Sequence, residues 1–248
     1  MVQVHLVVTQ RNRAESIPWS LSSVLTQTYK ELRVTYVDDA STDNSASVLQ
    51  EILTPQRRRP VTLVLNDTRR GVIANILSAV QDDPNDTVVV LLDGDDALAH
   101  PLAVERIARE YEDSSTWFTY GHFLSWPDRQ VIYDGAYHPT CIHENHFREW
   151  FWRCAPPRSF RVGLLRAVPD SYLRDDDGCY WEYANDQGLI LPMLELARYH
   201  IQHIPDVLYL YDTWNWNKPS REQFEALAAC VKRIRDKPKL SALTAQPW

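Results

Sequence analysis

Asp93 and Asp95 stand two residues apart, with Gly94 between them and Asp96 behind, directly after the apolar run 87–92. Carboxylates gathered at the tip of a buried strand suit a hard divalent cation. Such an ion takes oxygen ligands and fills its remaining positions with water and phosphate oxygens. Gly94 removes a side chain where a diphosphate or a ribose would approach the backbone. The aspartates could instead cap a helix starting near Pro101, but three exceed what a cap requires. A second acidic junction lies upstream, where residues 32–37 run into Asp38, Asp39 and, a little later, Asp43. Asp39 could accept a hydrogen bond from a base or a ribose. Alternatively, this stretch could simply be a turn and a helix cap, with Asp38 serving the turn ahead of Ser41, Thr42 and Asp43.

Two acidic strand ends point to one shared site at the carboxyl edge of a parallel sheet, where open α/β sheets bind ligands. The elements needed to build that edge are legible. Residues 2–8, 32–37, 61–65 and 87–92 read as strands. Helical spacing of apolar residues covers 16–25, a segment starting at residue 43, and 71–80. Strict alternation of strand and helix implies a parallel sheet with helices on both faces. After residue 115 the character changes, and eight of the nine tryptophans lie there. Residues 117–120 and 207–211 read as strands. Leu189, Ile190, Met193, Leu194 and Ala197 form a helical stripe that Pro192 should kink, unless it falls near the first turn. A closing amphipathic helix is expected over 220–235. Neither a linker nor an internal repeat interrupts the chain, so one domain with two functional halves is expected.

The bulk numbers exclude several classes. At 248 residues with 44% hydrophobic content, the chain can bury a substantial core without staples. A net charge of -7 disfavours nucleic acid, whose phosphates call for Lys and Arg. The short run Arg57, Arg58 and Arg59 reads as a solvated face. Cys141, Cys154, Cys179 and Cys230 form no CxxC pair, which argues against zinc. His143 and His146 share a helical spacing but lack a third ligand. No secretory signal or apolar run of bilayer length is visible, so a soluble, cytoplasmic protein is expected.

The ordered motifs resemble a family 2 glycosyltransferase with the GT-A fold. They comprise residues 7–13, 23–29 and 37–43, then Arg70-Gly71 with Ala74-Asn75, then Leu92-Asp93-Gly94-Asp95-Asp96. Order and spacing agree over about the first 120 residues. Further on, residues 117–121, Asn185-Asp186 and residues 191–197 are similar to one branch of that family. The resemblance implies a GT-A domain over 1–248, with 1–115 binding a nucleotide sugar and 116–248 binding the acceptor. It implies that Thr9 and Arg11 line the nucleotide pocket, that Asp39 reads the base, commonly uracil, and that Arg70 lies close to the nucleotide. Asp93 and Asp95 match the outer positions of a DxD motif, which would hold Mn²⁺ or Mg²⁺ at the diphosphate beside Gly94. Asp186 matches the catalytic base at the start of a helix, with Glu182 as runner-up and a helix N-cap as its plain structural role.

The implied activity is inverting, metal-dependent transfer of a hexose from a UDP-sugar to a hydroxyl of a glycan or glycoconjugate. Two departures from the family pattern stand out. The usual Glu-Asp pair at the base is Asn185-Asp186 here. A late histidine of many relatives is missing, and Asp212 could substitute for it. Arg158 and Arg161 could meet phosphate, although surface ion pairs are the commoner role for such arginines. The tryptophan-rich second half suits an acceptor platform, with most of the rings in the core and one or two on sugar. The alternatives are a sugar nucleotidyltransferase, which generally needs a Gly-rich loop where residues 9–13 contain none, and a non-catalytic carbohydrate-binding protein.

Overall fold

The computed structural model describes residues 1–54, 60–132, 135–214, 220–246 and 248. Arg57, Arg58, Arg59 and Trp216 lie outside the described residues. The first half follows the expected alternation. It runs β1 (Val4–Gln10), α1 (Ile17–Leu25), β2 (Leu32–Asp38), α2 (Ser45–Leu53), β3 (Thr62–Leu65), α3 (Val72–Ala79) and β4 (Val88–Asp93). The short β5 (Ala97–Leu98) and α4 (Ala103–Glu110) follow. The second half contains β6 (Phe118–Trp126), β7 (Val131–Ile132), α5 (Pro139–Glu144), β8 (Arg158–Arg161), α6 (Val162–Arg166) and α7 (Asp170–Leu173). It closes with α8 (Asn185–Ala197), β9 (Ile201–Asp212) and α9 (Arg221–Asp236).

One sheet threads both halves in the order β3-β2-β1-β4-β8-β6-β9-β5, with β7 paired to β6. β3, β2, β1 and β4 are parallel to their neighbours. β8 then inserts antiparallel between β4 and β6, which in turn runs parallel to β9. The register explains why two distant acidic segments meet. β1 lies between β2 and β4, pairing Gln10 with Asp38 on one side and Thr9 with Asp93 on the other. Both acidic tips therefore flank the end of the first strand.

Strand alternation divides the core between the two faces of the sheet. Leu6, Val8, Val88, Val90 and Leu92 pack with α1 and α4. Val7 and Val89 face the other way, into a cluster with Ile73, Ile76, Leu189, Ile190, Leu194 and Ile234. His5 is buried within the first strand. Burial and the neighbouring Arg33 guanidinium push it down to about 3, so the ring is neutral. Its Nδ1–H donates to Asp83 at 2.6 Å, and Nε2 accepts from the Thr35 hydroxyl at 2.8 Å.

The second half departs from the sequence expectation in detail. β8 and the short helices α5, α6 and α7 carry no clear periodic signal. β6 and β9 are much longer than the expected strands. Pro192 sits within α8, beyond the first turn, and the helix runs on through it. Gly188, four residues earlier, is where the proline ring crowds the backbone. A side chain there is also excluded from outside, because a Cβ would come within 2.4 Å of the Trp181 ring. The closing helix is as expected, and Ser220 and Gln223 form a capping box at its start.

Candidate active site

The loop after β1 and the two acidic tips form one ledge. Gly94 N–H donates to the Thr9 carbonyl, and Asp39 N–H donates to the Gln10 carbonyl, both at 2.9 Å. Above the ledge opens a cleft of about 560 Å³. Thr9, Arg11, Asp39, Arg70, Asp93 and Asp95 all line it, together with Arg13. Its opposite wall comes from the second half, through Tyr180, Trp181, Glu182 and Asn185. Six of the seven expected donor-side residues thus share one cavity.

The seventh, Gly94, is not among the residues lining the cleft. The reason for its missing side chain is internal. A Cβ there would lie 2.3 Å from Gln10 Cβ and 3.1 Å from the Tyr36 hydroxyl. Close packing of the turn on β1 and β2 therefore demands glycine on steric grounds alone.

Asp39 is deeply engaged. Its Oδ1 accepts from Arg70 N–H at 2.8 Å and Asn66 Nδ2 at 3.0 Å, and its Oδ2 accepts from Gly71 N–H at 2.9 Å. The Asn75 amide lies beside it too, although Nδ2 is outside hydrogen-bonding geometry. Burial works against the charge, but these polar neighbours outweigh it and hold Asp39 below the usual carboxylate range. Asp39 therefore latches the segment before α3 against the end of β2. Gly71 allows that segment its positive φ of 86°. Two buried polar atoms of cleft-lining residues are left without a partner, Gln10 Oε1 and Asn75 Nδ2.

The three aspartates at the β4 tip divide their work. Asp95 Oδ2 accepts from Arg13 Nε at 2.7 Å. Desolvation by the protein crowded around it and the adjacent Asp95 charge raise Asp93 to about 6, with Arg158 opposing, although the side chain itself is open to the cleft. Asp96 turns away into the protein, where burial and the charges of Asp93 and Asp95 raise it to about 9. It accepts from the Tyr209 hydroxyl and from Asp212 N–H, both at 2.7 Å. The tip thus presents Asp93 and Asp95 to the cleft and uses Asp96 to fasten β9. Two carboxylates with mutually repelling charge, open to a cavity, fit a divalent ion that takes its other ligands from phosphate and water. Among the described residues, no group of three or more His, Cys, Asp and Glu side chains is arranged to hold a metal by itself.

Asp186 lies in the first turn of α8, with Ala184 rather than Asp186 at the N-cap. It lines a smaller cavity that also includes Thr9, Asp93, Arg158 and Tyr209. Its Oδ1 accepts from Gln187 N–H at 2.8 Å, and its Oδ2 faces Arg158 Nη2 at 3.2 Å. Glu182, the alternative base, instead pairs with Arg69 at 2.8 Å, and both side chains are exposed.

Sequence reasoning left Tyr209 and Arg13 unassigned and did not foresee the partner of Arg158. Arg158 is not a surface arginine, since antiparallel β8 brings it beside Leu91, two residues from the acidic tip. Burial works against its charge, yet Asp186 and Asp93 hold its pKa above the ordinary value. Tyr209 donates to Asp96 and lies 3.4 Å from Asp93. Arg13 stood inside a quoted motif, but nothing in the sequence named its partner. Arg161 is buried as well, and it donates to the carbonyls of Tyr111, Thr116 and Asp86 rather than to any phosphate. Asp212 borders a smaller tryptophan-lined cavity and not the cleft. His143 is exposed and pairs with Glu144.

Comparison with known proteins agrees with this geometry. The model of glycosyl transferase family 2 matches residues 6–167. A protein of Nostoc sp. described as an uncharacterised glycosyltransferase is 27% identical over 115 residues, which is 46% of this chain and 34% of that protein. The chain therefore spans about a third of this curated relative. Among solved structures, S. aureus TarS 1–349 in complex with UDP-GlcNAc superposes with a TM-score of 0.64 at 16% identity, covering 95% of this chain and 67% of that one. The mannosyltransferase PcManGT from Pyrobaculum calidifontis, in complex with GDP-Man and Mn²⁺, gives 0.62 at 18% identity, covering 96% and 66%. The sheet with its acidic strand tips is the GT-A fold, and the chain belongs to glycosyl transferase family 2.

Proposed function

We propose that this protein transfers a hexose from a UDP-sugar to a hydroxyl of a glycan or glycoconjugate, with inversion and with a divalent cation. The observation that carries the reading is the cleft itself. It brings Asp93 and Asp95, the latter ion-paired to Arg13, together with Asp39, Arg11 and Arg70 along one cavity. The diphosphate of a nucleotide in this cleft would complete the cation's shell. Nucleotide sugars in TarS and PcManGT, and Mn²⁺ in the latter, support the same reading.

Mn²⁺ or Mg²⁺ held by Asp95 and Asp93 would supply Lewis-acid stabilisation of the departing diphosphate. Arg11 and Arg70 line the same cleft and add positive charge around the phosphates. Asp39 shapes the base pocket by fixing the segment at Arg70 and Gly71. Asp186 removes the proton from the acceptor hydroxyl as that oxygen bonds to the anomeric carbon and the bond to phosphate breaks. Attack from the face opposite the leaving group inverts the centre. A single displacement needs one base, not the flanking carboxylate pair of a typical hydrolase. Arg158 orients the Asp186 carboxylate through its contact at 3.2 Å. The donor cleft is walled from both halves of the chain, and the second half also carries the base.

Slow release of nucleoside diphosphate from a panel of nucleotide sugars, with and without Mn²⁺, tests the reading. Release is expected from a UDP-sugar, dependent on Mn²⁺ and reduced at least a hundredfold in Asp95→Ala. Release of pyrophosphate from a nucleoside triphosphate and a sugar phosphate would instead identify a nucleotidyltransferase. No turnover with either substrate set would favour a binding protein.

A further inference from the structure

A second open cavity of about 190 Å³ is bordered by Asp212, whose N–H donates to Asp96 of the acidic tip. Trp19 on α1, Trp126 at the end of β6 and Trp214 just beyond β9 line it, with Glu15, Ser16 and Asp212. None of these residues borders the donor cleft. Trp214 is 78% exposed and Trp126 is 37% exposed. Large rings left this open are uncommon, because covering apolar surface is favourable.

The cavity is built rather than incidental. Asp212 N–H donates to Asp96 at 2.7 Å, and Asp212 Oδ1 accepts from Trp214 N–H at 2.8 Å. The turn presenting the Trp214 indole is therefore tied to the DxD segment. On the other side, the Arg13 carbonyl accepts from Ser16 N–H at 2.9 Å while the Arg13 side chain holds Asp95. Two hydrogen-bonded links thus connect the wall of this cavity to the β4 tip, one at Asp96 and one through Arg13 at Asp95. Arg129 covers part of Trp126, with its guanidinium 5.2 Å from the ring centre.

From this arrangement we infer that the tryptophan cavity is a saccharide subsite, which holds a distal, uncharged sugar unit of a glycan acceptor while its reacting hydroxyl lies at Asp186. The inference rests on the transferase reading above and names its acceptor chemistry. Indole rings pack on the C–H faces of a pyranose, and carboxylates such as Glu15 and Asp212 accept from sugar hydroxyls. The same two carboxylates repel uronic acids and phosphorylated sugars. The volume is about a third of the donor cleft, which suits a single sugar unit rather than a second nucleotide.

Saturation-transfer NMR separates the outcomes. The probes are methyl glycosides of glucose, galactose, mannose and N-acetylglucosamine, short gluco-oligosaccharides, methyl glucuronide and tetramethylammonium. UDP with Mn²⁺ is titrated into the same wild-type sample. At least one neutral saccharide is expected to bind, and methyl glucuronide is not. Trp214→Ala should weaken that binding at least tenfold, whereas Trp214→Phe, which keeps an aromatic face, should stay within threefold of wild type. Unchanged affinity in Trp214→Ala would overturn the subsite, as would binding of tetramethylammonium without any saccharide. UDP binding with no saccharide binding would overturn the subsite alone. Trp214-dependent saccharide binding without UDP binding would instead overturn the donor reading and leave the subsite standing.

Discussion

At the scale of single residues, the chemistry depends on how charge is divided at the β4 tip. Asp93, Asp95 and Asp96 are near-identical in sequence, yet two face the cleft and the third is a buried fastener held by Tyr209 and Asp212. Nothing in the sequence distinguishes them, because the difference comes from β9, more than a hundred residues away. The DxD spacing, by contrast, was legible, since a strand tip has few other uses for two carboxylates. Asp186 illustrates the same limit. Its place at the start of a helix was legible from the resemblance, but its partner Arg158 depended on β8, an element that sequence periodicity did not reveal. Asp186→Asn keeps the size and removes the base. It is expected to leave nucleotide affinity within about threefold and to lower transfer at least a hundredfold, as general-base losses commonly do. Steady-state kinetics with separate donor and acceptor titrations will decide this, and equal transfer by the mutant would refute the assignment.

At the scale of elements, the parallel half was readable because four apolar strands alternate with helices of clear periodicity. In the second half β6, α8, β9 and the closing helix were legible too, but β8 and α5 to α7 were not, because long-range polar fastening helps to order that half. Arg148 shows how. Its guanidinium binds Glu195 of α8 with two hydrogen bonds, at 2.6 and 2.8 Å, and also donates to the Ile234 carbonyl near the end of α9. Both side chains are almost fully buried, at 3% and 0% exposure. Removing one partner leaves a buried charge without its counter-ion, which costs about 3–5 kcal/mol. Arg148→Ala is therefore expected to lower the urea midpoint by that much stability. Replacing both partners together, Arg148→Met with Glu195→Leu, should cost much less. A midpoint unchanged in Arg148→Ala would mean that α8 and α9 do not depend on this pair. Because α8 carries Asp186 and faces the cleft, this fastening also positions Asp186.

At the scale of the whole molecule, one sheet gathers the donor cleft, the base and the tryptophan cavity around the ends of β1, β4 and β9. No helix among the described residues is long and apolar enough to cross a membrane. The motif order in the first 120 residues identified the fold, whereas the meeting of both halves across the cleft required the register of β8 and β9. The account as a whole rests on a cation held between Asp95 and a nucleoside diphosphate. Crystals grown with UDP and Mn²⁺, measured at the manganese absorption edge, test this most directly. The expected result is an anomalous peak in contact with Asp95 and a diphosphate oxygen, with the nucleoside in the cleft beside Gln10 and Asn75. Nucleotide elsewhere, or an acidic tip without manganese while UDP is bound, would contradict it.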